Sequence, residues 1–175
     1  MIGPGARAAV EATANNRIGI IGTRATVQSG AYDKEVRRLS PRAEVFSRAC
    51  PLFVPLVEEG WANERVAEEV AARYLEPLLE EGIDTLILGC THYPVLAPVI
   101  SKVAGPSVTL ISSSEAAAGE LASRLGGGGA QTGERGELRC FVTDAGTYFK
   151  EVAERILGEP LASLEAIDEE RLVAQ

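Results

Sequence analysis

The sequence predicts an α/β fold, in which a parallel sheet is flanked by helices. Short apolar runs alternate with longer segments of helical periodicity, and this alternation is typical of right-handed βαβ units. The run at residues 84–89 is almost continuously apolar, as expected for a strand that is covered on both faces. With 175 residues, the chain is long enough to bury a core without a disulfide or a structural metal.

The first half of the chain is predicted to contain three helices and three strands. Pro4 suits the first turn of a helix, and Ser40-Pro41 ends the second helix. The segment 50–57 contains two prolines, so we predict a loop with one helical turn there. The apolar positions that recur every four residues of the third helix are Val66, Val70, Tyr74 and Leu78. The helices are expected at residues 5–13, 23–39 and 63–81, and the strands at residues 17–21, 43–47 and 84–89.

The second half continues the alternation as far as a run of four glycines. Pro94 suits the start of a helix, and Ser112 and the residues after it suit the cap of another helix that ends at Leu125. The run 126–129 has maximal backbone freedom, so we predict a flexible loop. Strands are expected at residues 108–111 and 138–143 and helices at residues 95–103, 113–125 and 148–157, with only a weak signal beyond Pro160.

Composition and charge exclude several classes of protein. The 17 basic and 25 acidic residues give a net charge of −8, which disfavours binding to nucleic acid. No apolar run approaches the ~20 residues of a membrane-spanning helix, and no signal peptide is recognisable, so no membrane association is expected. The three cysteines are odd in number and far apart, which favours the reducing cytoplasm over a secreted disulfide framework.

Polar and nucleophilic residues follow several of the predicted strands. Ligands of open parallel sheets bind at the carboxyl ends of the strands, so we expect these residues to meet at one edge. The residues at these positions are Thr23, Thr26, Cys50, Cys90, Thr91, His92 and Ser112 to Ser114. The sequence therefore predicts a small-molecule site at this edge.

Cys90 and His92 are the strongest catalytic candidates. Cys90 lies between an apolar strand and a helix that begins with proline, where backbone N–H groups favour an anion and should lower the pKa of the thiol. His92 could accept or return the thiol proton. Alternatively, Cys90 is a small buried residue and His92 an ordinary loop histidine. Zinc is disfavoured, since a structural site needs four ligands, and we expect no metal.

Other candidates have a structural alternative as well. Glu58 or its neighbour Glu59 could hold the charge on His92 or bind an ammonium group, or the two could form a solvated acidic pair. Thr23, Thr26 and Ser29 could donate hydrogen bonds to a carboxylate, although Thr23 also suits a helix N-cap. The two remaining cysteines are expected to be structural, Cys50 beside a proline and Cys140 in the core of a strand.

Several segments resemble blocks of the glutamate racemases, in the order and spacing of that family. The most specific is Leu86-Ile87-Leu88-Gly89-Cys90-Thr91-His92-Tyr93-Pro94-Val95-Leu96, which resembles the family's second cysteine motif. The other segments are Ile18 to Thr23, Ser29 to Tyr32, the acidic loop from Ala49 to Gly60, and Phe141 to Thr143 with the final helix to Gly158.

The resemblance implies racemisation of free glutamate without a cofactor, to supply D-glutamate for peptidoglycan. Two cysteines act on opposite faces of the substrate's α-carbon in that family, and Cys90 would be the second of them. Thr91 and His92 would contact substrate, and His92 would also assist Cys90. Glu58 would orient this half of the site, and Thr23 and Thr26 are weaker candidates for substrate contacts.

The resemblance also implies a domain arrangement. Residues 1–14 would form an inter-domain helix, residues 15–111 an α/β domain with the second cysteine motif, and residues 112–175 part of another, incomplete α/β domain. The family's opening Asp-Ser turn and its first cysteine, in a Cys-Asn-Thr segment, have no counterpart here, and Ser112 replaces a usual aspartate. We therefore expect a truncated chain, or a start upstream of Met1, with impaired activity.

Two alternatives remain open from the sequence. The chain could be a non-catalytic fragment that binds a ligand or a partner, or a related racemase that acts on aspartate. Apolar surface left uncovered by absent strands would favour a homo-oligomer.

Overall fold

The computed structural model describes residues 1–125, 139–143 and 147–168. The chain divides into two compact units, Met1–Gly129 and Ala130–Gln175. The glycine run that was predicted to be a flexible loop lies outside the described residues.

The first unit contains a four-stranded parallel sheet, as the sequence predicts. Its strands are β1 (Arg17–Gly22), β2 (Glu44–Ala49), β3 (Thr85–Leu88) and β4 (Thr109–Ser112). They lie in the order β2-β1-β3-β4, so that β1 and β3 are central. All four residues of β3 are buried, which agrees with its nearly continuous apolar sequence.

Helices cover both faces of this sheet. Alternate residues of the central strands point to opposite faces, so Ile20 and Ile87 join one core cluster, whereas Ile21 and Leu86 join the other. The helices of this unit are α1 (Ile2–Ala12), α2 (Arg24–Ser29), α3 (Ala31–Leu39), α4 (Phe53–Glu58), α5 (Arg65–Glu80), α6 (Ala97–Ala104) and α7 (Ser113–Arg124), with a 3-10 turn at Tyr93–Leu96. Residues of α1 and α3 pack in the first cluster, and residues of α4, α5 and α6 pack in the second.

The single helix predicted at residues 23–39 is wrong, because the structure has two helices there. Gly30 adopts a left-handed conformation with a φ of 60°, which ends α2 and begins α3. Helical periodicity continues on both sides of this glycine and therefore hides the break. The break directs α3 across the sheet, where Tyr32 and Val36 are buried.

Two further details differ from the sequence prediction. The segment 50–57, predicted as a loop with one helical turn, contains the short helix α4, which is more regular than expected. The buried face of α5 is formed by Ala67, Ala71, Leu75 and Leu78, whereas Val66 is 39% exposed. Small alanines pack closest to the sheet, so the larger β-branched residues do not mark the buried face.

The second unit contains β5 (Arg139–Val142), α8 (Thr147–Leu157) and β6 (Ser163–Ala166). The two strands pair in parallel, and Val152 and Leu161 are buried. The expectation that Cys140 lies in a core is wrong, because it is partly exposed on β5. The strand β6 follows Pro160, where the sequence gives only a weak signal.

The first unit includes α7, although the sequence places a domain boundary just before that helix. Gly5 of α1 lies so close to Ser113 of α7 that a Cβ at position 5 would be 2.6 Å from the serine Oγ. The contact explains why α7 belongs to the same compact unit as α1. The assignment of residues 1–14, 15–111 and 112–175 to parts of a two-domain racemase stays a prediction.

Gly89, directly after β3, is a position where an added side chain would meet the backbone of the neighbouring strand. An added Cβ would lie 2.8 Å from the carbonyl oxygen of Ile21 and 3.2 Å from the ring of Tyr32. We expect Gly89→Ala to reduce the free energy of unfolding by about 1–3 kcal/mol, since backbone must move to make room. Urea unfolding of the purified chain measures this change.

Gly119→Ala is the matched control, because nothing lies within 4 Å of a Cβ at that exposed position of α7. It should be neutral or stabilise the protein by up to about 1 kcal/mol, as alanine favours helix over glycine. Equal unfolding midpoints for Gly89→Ala and the unsubstituted protein would contradict the close approach.

Candidate active site

The carboxyl ends of the four strands bring the predicted site residues to one edge of the sheet. Thr23 follows β1, Cys50 follows β2, Gly89 and Cys90 follow β3, and Ser113 follows β4. The register aligns these ends, because Gly22 pairs with Ala49 and Leu88 pairs with both Ile21 and Ser112. The predicted convergence is therefore present in the fold.

Cys90 lies in the turn that leaves the central strand β3. The N–H of Gly89 donates to the carbonyl of Ile21 at 2.8 Å. This bond extends the hydrogen-bond ladder between β1 and β3 to the residue before Cys90. The thiol is half-buried, and this burial raises its pKa above the usual value. The N–H groups of His92, Thr91 and Tyr93 face the sulfur and lower the pKa in part. The expectation of a lowered pKa is therefore wrong, since desolvation outweighs the hydrogen bonds.

His92 lies between the thiol and a carboxylate. Its Nδ1 is 3.9 Å from the Sγ of Cys90, and its Nε2 is 3.3 Å from the Oε1 of Glu58. When Nε2 carries the proton that faces Glu58, Nδ1 is left as an acceptor for the thiol proton. In this arrangement His92 can accept the thiol proton while the Glu58 carboxylate contacts its other ring nitrogen.

An aromatic cluster sets the distance between His92 and Glu58. Tyr93 follows His92 directly, is fully buried, and donates through its hydroxyl to the carbonyl of Cys50 at 2.8 Å. Its ring packs edge-on against Phe53, with 5.2 Å between the ring centroids. Phe53 begins α4, the helix that ends at Glu58. The cluster therefore joins the turn after β3 to the helix that presents the carboxylate.

Cys50 is buried next to this aromatic cluster and lies apart from the group formed by Cys90, His92 and Glu58. Its side chain is fully shielded, and burial raises the pKa of its thiol to about 12. A thiol with such a pKa stays protonated at neutral pH. The structural interpretation of Cys50 is confirmed.

A cavity of about 240 Å³ lies next to Cys90. It is smaller than the ~300–1,000 Å³ of pockets for drug-sized ligands, and so suits a small metabolite. Its lining consists of Met1, Ile2, Thr26, Ser29, Tyr32, Leu88, Gly89, Cys90, Thr91, Ser113 and Ser114. Three predicted contact residues, Thr26, Ser29 and Thr91, therefore line it, whereas Thr23, His92 and Glu58 do not.

Thr23 and Ser112 have local roles at the ends of strands. The Oγ1 of Thr23 accepts a hydrogen bond from the N–H of Thr26 at 3.2 Å and caps α2. Ser112 caps α7 in the same way, by accepting from the N–H of Glu115 at 3.3 Å. The interpretation of Thr23 as an N-cap is confirmed, and its contact with substrate stays a prediction.

Tyr32 is a cavity residue that sequence reasoning did not place at the site. It lies in the first turn of α3, and its hydroxyl donates to the Oγ of Ser113 at 2.9 Å. The residue is not next to a strand end in the sequence, so only the break at Gly30 could have indicated that it reaches this edge.

Two negative observations apply to the described residues alone. Within residues 1–125, 139–143 and 147–168, no group of three or more His, Cys, Asp or Glu side chains is placed to hold a metal ion. None of the helices in this part of the chain is long and apolar enough to cross a membrane.

Comparison with known proteins identifies the family of this chain. A sequence profile of the family described as Asp/Glu/Hydantoin racemase matches residues 1–121. The chain belongs to this family. It is 46% identical over 166 residues to a glutamate racemase of Geobacter metallireducens, and 44% identical over 169 residues to one of Syntrophus aciditrophicus. These alignments cover 94% and 95% of this chain, but 62% and 63% of the relatives.

Solved structures of this racemase family have the same fold. A glutamate racemase of Bacillus anthracis superposes with a TM-score of 0.85 and 40% identity, over 96% of this chain and 63% of that one. A glutamate racemase of Francisella tularensis in complex with D-glutamate gives 0.83 and 35%, over 95% and 62%. The racemase-family chain described here therefore spans less than two thirds of the length of these proteins.

The environments of the cysteines predict how the native protein reacts with a thiol-alkylating reagent. Cys90 should be labelled at a rate that rises through and beyond the usual cysteine pKa of about 8.5, because burial keeps the thiol neutral at lower pH. Cys50 should stay unlabelled until the protein unfolds. Mass spectrometry of the peptides, with Cys90→Ser as control, separates the sites. A Cys90 rate that levels off below neutral pH, or labelling of native Cys50, would contradict this assignment.

Proposed function

We propose that this chain carries the site of one of the two bases that racemise glutamate without a cofactor, and that Cys90 is that base. The observation that supports the proposal is the linear arrangement of Cys90, His92 and Glu58 beside a small cavity at the strand ends. Identity of 46% to a glutamate racemase supports glutamate as the substrate. Its product, D-glutamate, would enter peptidoglycan precursor synthesis in the cytoplasm.

The chemistry begins with the transfer of the thiol proton. Burial raises the pKa of Cys90, so a proton acceptor is needed to generate thiolate at neutral pH. His92 takes that proton at Nδ1, and the carboxylate of Glu58 facing Nε2 stabilises the imidazolium that forms. Glu58 and His92 therefore act on substrate through the sulfur.

The thiolate then removes the α-proton of glutamate. This proton is a very weak acid, so the base must be held in contact with it in a pocket that excludes water. The hydroxyls of Thr26 and Thr91 line the same cavity as Cys90 and can donate hydrogen bonds to bound substrate. Negative charge that develops on the substrate is thereby stabilised.

Inversion requires a proton to return on the opposite face of the α-carbon. Cys50 does not suit this role, since it is buried and its pKa is raised to about 12. We therefore propose that the 175-residue chain exchanges the α-proton on one face and inverts the centre inefficiently.

Deuterium exchange of glutamate tests this proposal. In D2O, the purified chain should incorporate deuterium at the α-carbon of one enantiomer faster than it converts that enantiomer to the other. Cys90→Ala should abolish the exchange, because it removes the base. Mass-resolved chiral chromatography of each enantiomer measures both rates.

Two outcomes of this experiment would contradict the proposal. Equal exchange by Cys90→Ala would remove Cys90 from the reaction, and full racemase turnover by the 175-residue chain would refute the need for a further base. Exchange of aspartate in preference to glutamate would keep the chemistry and change the substrate.

The carboxylate of Glu58 should affect the rate and not the binding of substrate. We expect Glu58→Gln to slow α-proton exchange by about 10- to 100-fold, with little change in the glutamate concentration for half-maximal rate, because imidazolium loses its counter-charge. The pH dependence of the exchange rate should change with it. Steady-state exchange assays from pH 6 to 9, roughly spanning the titration of histidine and cysteine, measure these effects.

Glu59→Gln provides the control, since Glu59 is exposed, follows Glu58 directly and lines a different groove. It should leave the rate and its pH dependence unchanged. If both substitutions had the same effect, the proposed pairing of Glu58 with His92 would be wrong.

A further inference from the structure

The cavity beside Cys90 contains a buried pair of hydroxyls that the proton transfer does not use. The hydroxyl of Tyr32 on α3 donates to the Oγ of Ser113 at the start of α7, at 2.9 Å. The two residues are 5% and 2% exposed, and both line the cavity. This pair is therefore shielded from bulk water and open towards the cavity.

The hydrogen-bond count of this pair leaves one donor unused. Tyr32 donates its proton to Ser113, so the serine acts as an acceptor in that bond and keeps its own proton to donate. Among the described residues, the bond from Tyr32 is the one side-chain hydrogen bond that Ser113 makes. Because buried donors are almost always satisfied, the cavity is where the partner of this hydroxyl belongs.

Three neighbouring hydroxyls of the lining, those of Ser29, Thr26 and Ser114, also have local partners. Ser29 donates to the carbonyl of Thr26 at 2.7 Å, and Thr26 shares a proton with Thr23 at 3.0 Å. Ser114 shares a proton with Ser112 at 3.0 Å. Ser113 differs from them because a buried tyrosine occupies its acceptor side.

Close packing fixes the position of the Ser113 side chain. A Cβ at Gly5 would lie 2.6 Å from its Oγ and 3.1 Å from its Cβ, so α1 closes the space behind the serine. Tyr32 approaches through the hydrogen bond. A donor that is already held in place loses less conformational entropy on binding than a mobile one. This hydroxyl is therefore suited to the recognition of a ligand.

The surroundings favour a carboxylate as that ligand group. The side chains that line the cavity are uncharged, so they can hold an anion only as neutral hydrogen-bond donors. Ser113 is the first residue of the 12-residue helix α7, whose first N–H groups have no partner within the helix and favour negative charge. A buried hydroxyl and a helix terminus thus meet at one point of the cavity.

We propose that Ser113, held by Tyr32, donates a hydrogen bond to the α-carboxylate of the bound amino acid. The pairing of Leu88 with Ser112 places the starts of the Cys90 turn and of α7 on adjacent strands, which lie about 4.8 Å apart. A carboxylate at Ser113 therefore belongs to the carbon that Cys90 deprotonates. This assignment rests on the proposed function for the identity of the substrate, but its recognition of a carboxylate does not.

Protection of Cys90 from iodoacetamide by glutarate tests the carboxylate site without any racemisation. Glutarate should protect the native 175-residue chain, and the neutral diamide of the same length should not. Ser113→Ala should require about 10- to 100-fold more glutarate for half-protection, the loss expected for a hydrogen bond to a charged group. Tyr32→Phe, which keeps the serine but frees its orientation, should have a smaller effect in the same direction.

Ser123→Ala is the matched control, because Ser123 is an exposed serine of α7 that donates to the carbonyl of Gly119. It should behave as the unsubstituted chain does, and labelling of Cys140 should not respond to glutarate in any variant. Unfolding curves identify a variant that fails to fold, and in that case Tyr32→Phe decides the question.

The outcomes separate this proposal from the proposed function. Unchanged protection in Ser113→Ala and Tyr32→Phe, or no protection of the unsubstituted chain by glutarate, would overturn the role of Ser113. Protection that depends on Ser113, without α-proton exchange of glutamate, would support the carboxylate site and contradict the racemase chemistry. If Ser113→Ala exchanged the α-proton of glutamate at an unchanged rate and affinity, the racemase chemistry would be supported and the role of Ser113 contradicted.

Discussion

The hydrogen bond from Gly89 to the carbonyl of Ile21 fixes where the central strand ends and where the reactive turn begins. It can form because residue 89 has no side chain, as a Cβ there would collide with that same carbonyl. Cys90 consequently lies one residue beyond the last rung of the ladder. The N–H groups of the next three residues then face its sulfur. The other parts of the site are organised around this position.

Two opposed effects act on the thiol, and their balance explains the neighbours of Cys90. Burial favours the neutral thiol and excludes water, whereas the backbone N–H groups favour the thiolate. Because burial prevails, the resting group is a thiol, and the proposed reaction couples its ionisation to His92 and Glu58. The ring of Tyr93 packs against Phe53, and its hydroxyl donates a hydrogen bond to the carbonyl of Cys50. These two contacts hold His92 and Glu58 near each other across two strand ends. In the proposed reaction, residues that do not contact substrate thereby influence the reactivity of the thiol.

The sequence was sufficient for the parallel sheet, for the strand ends and for the pairing of Cys90 with His92, because each depends on local patterns. It was insufficient where tertiary packing decides. The pKa of Cys90 depends on burial that no local pattern reports, and the break at Gly30, which brings Tyr32 to the cavity, is concealed by helical periodicity on both sides. The recurrence of apolar residues predicts the helix α5 but not its buried face, because small residues pack closest to the sheet.

A crystal structure of the chain with D-glutamate or L-glutamate bound is the most direct test of the central claim, that the sulfur of Cys90 acts at the α-carbon. The account predicts that the α-carbon of the ligand lies about 3–4 Å from the Sγ of Cys90, as contact between a base and its proton requires. Glutamate bound elsewhere, or with its α-carbon directed away from this sulfur, would contradict the account.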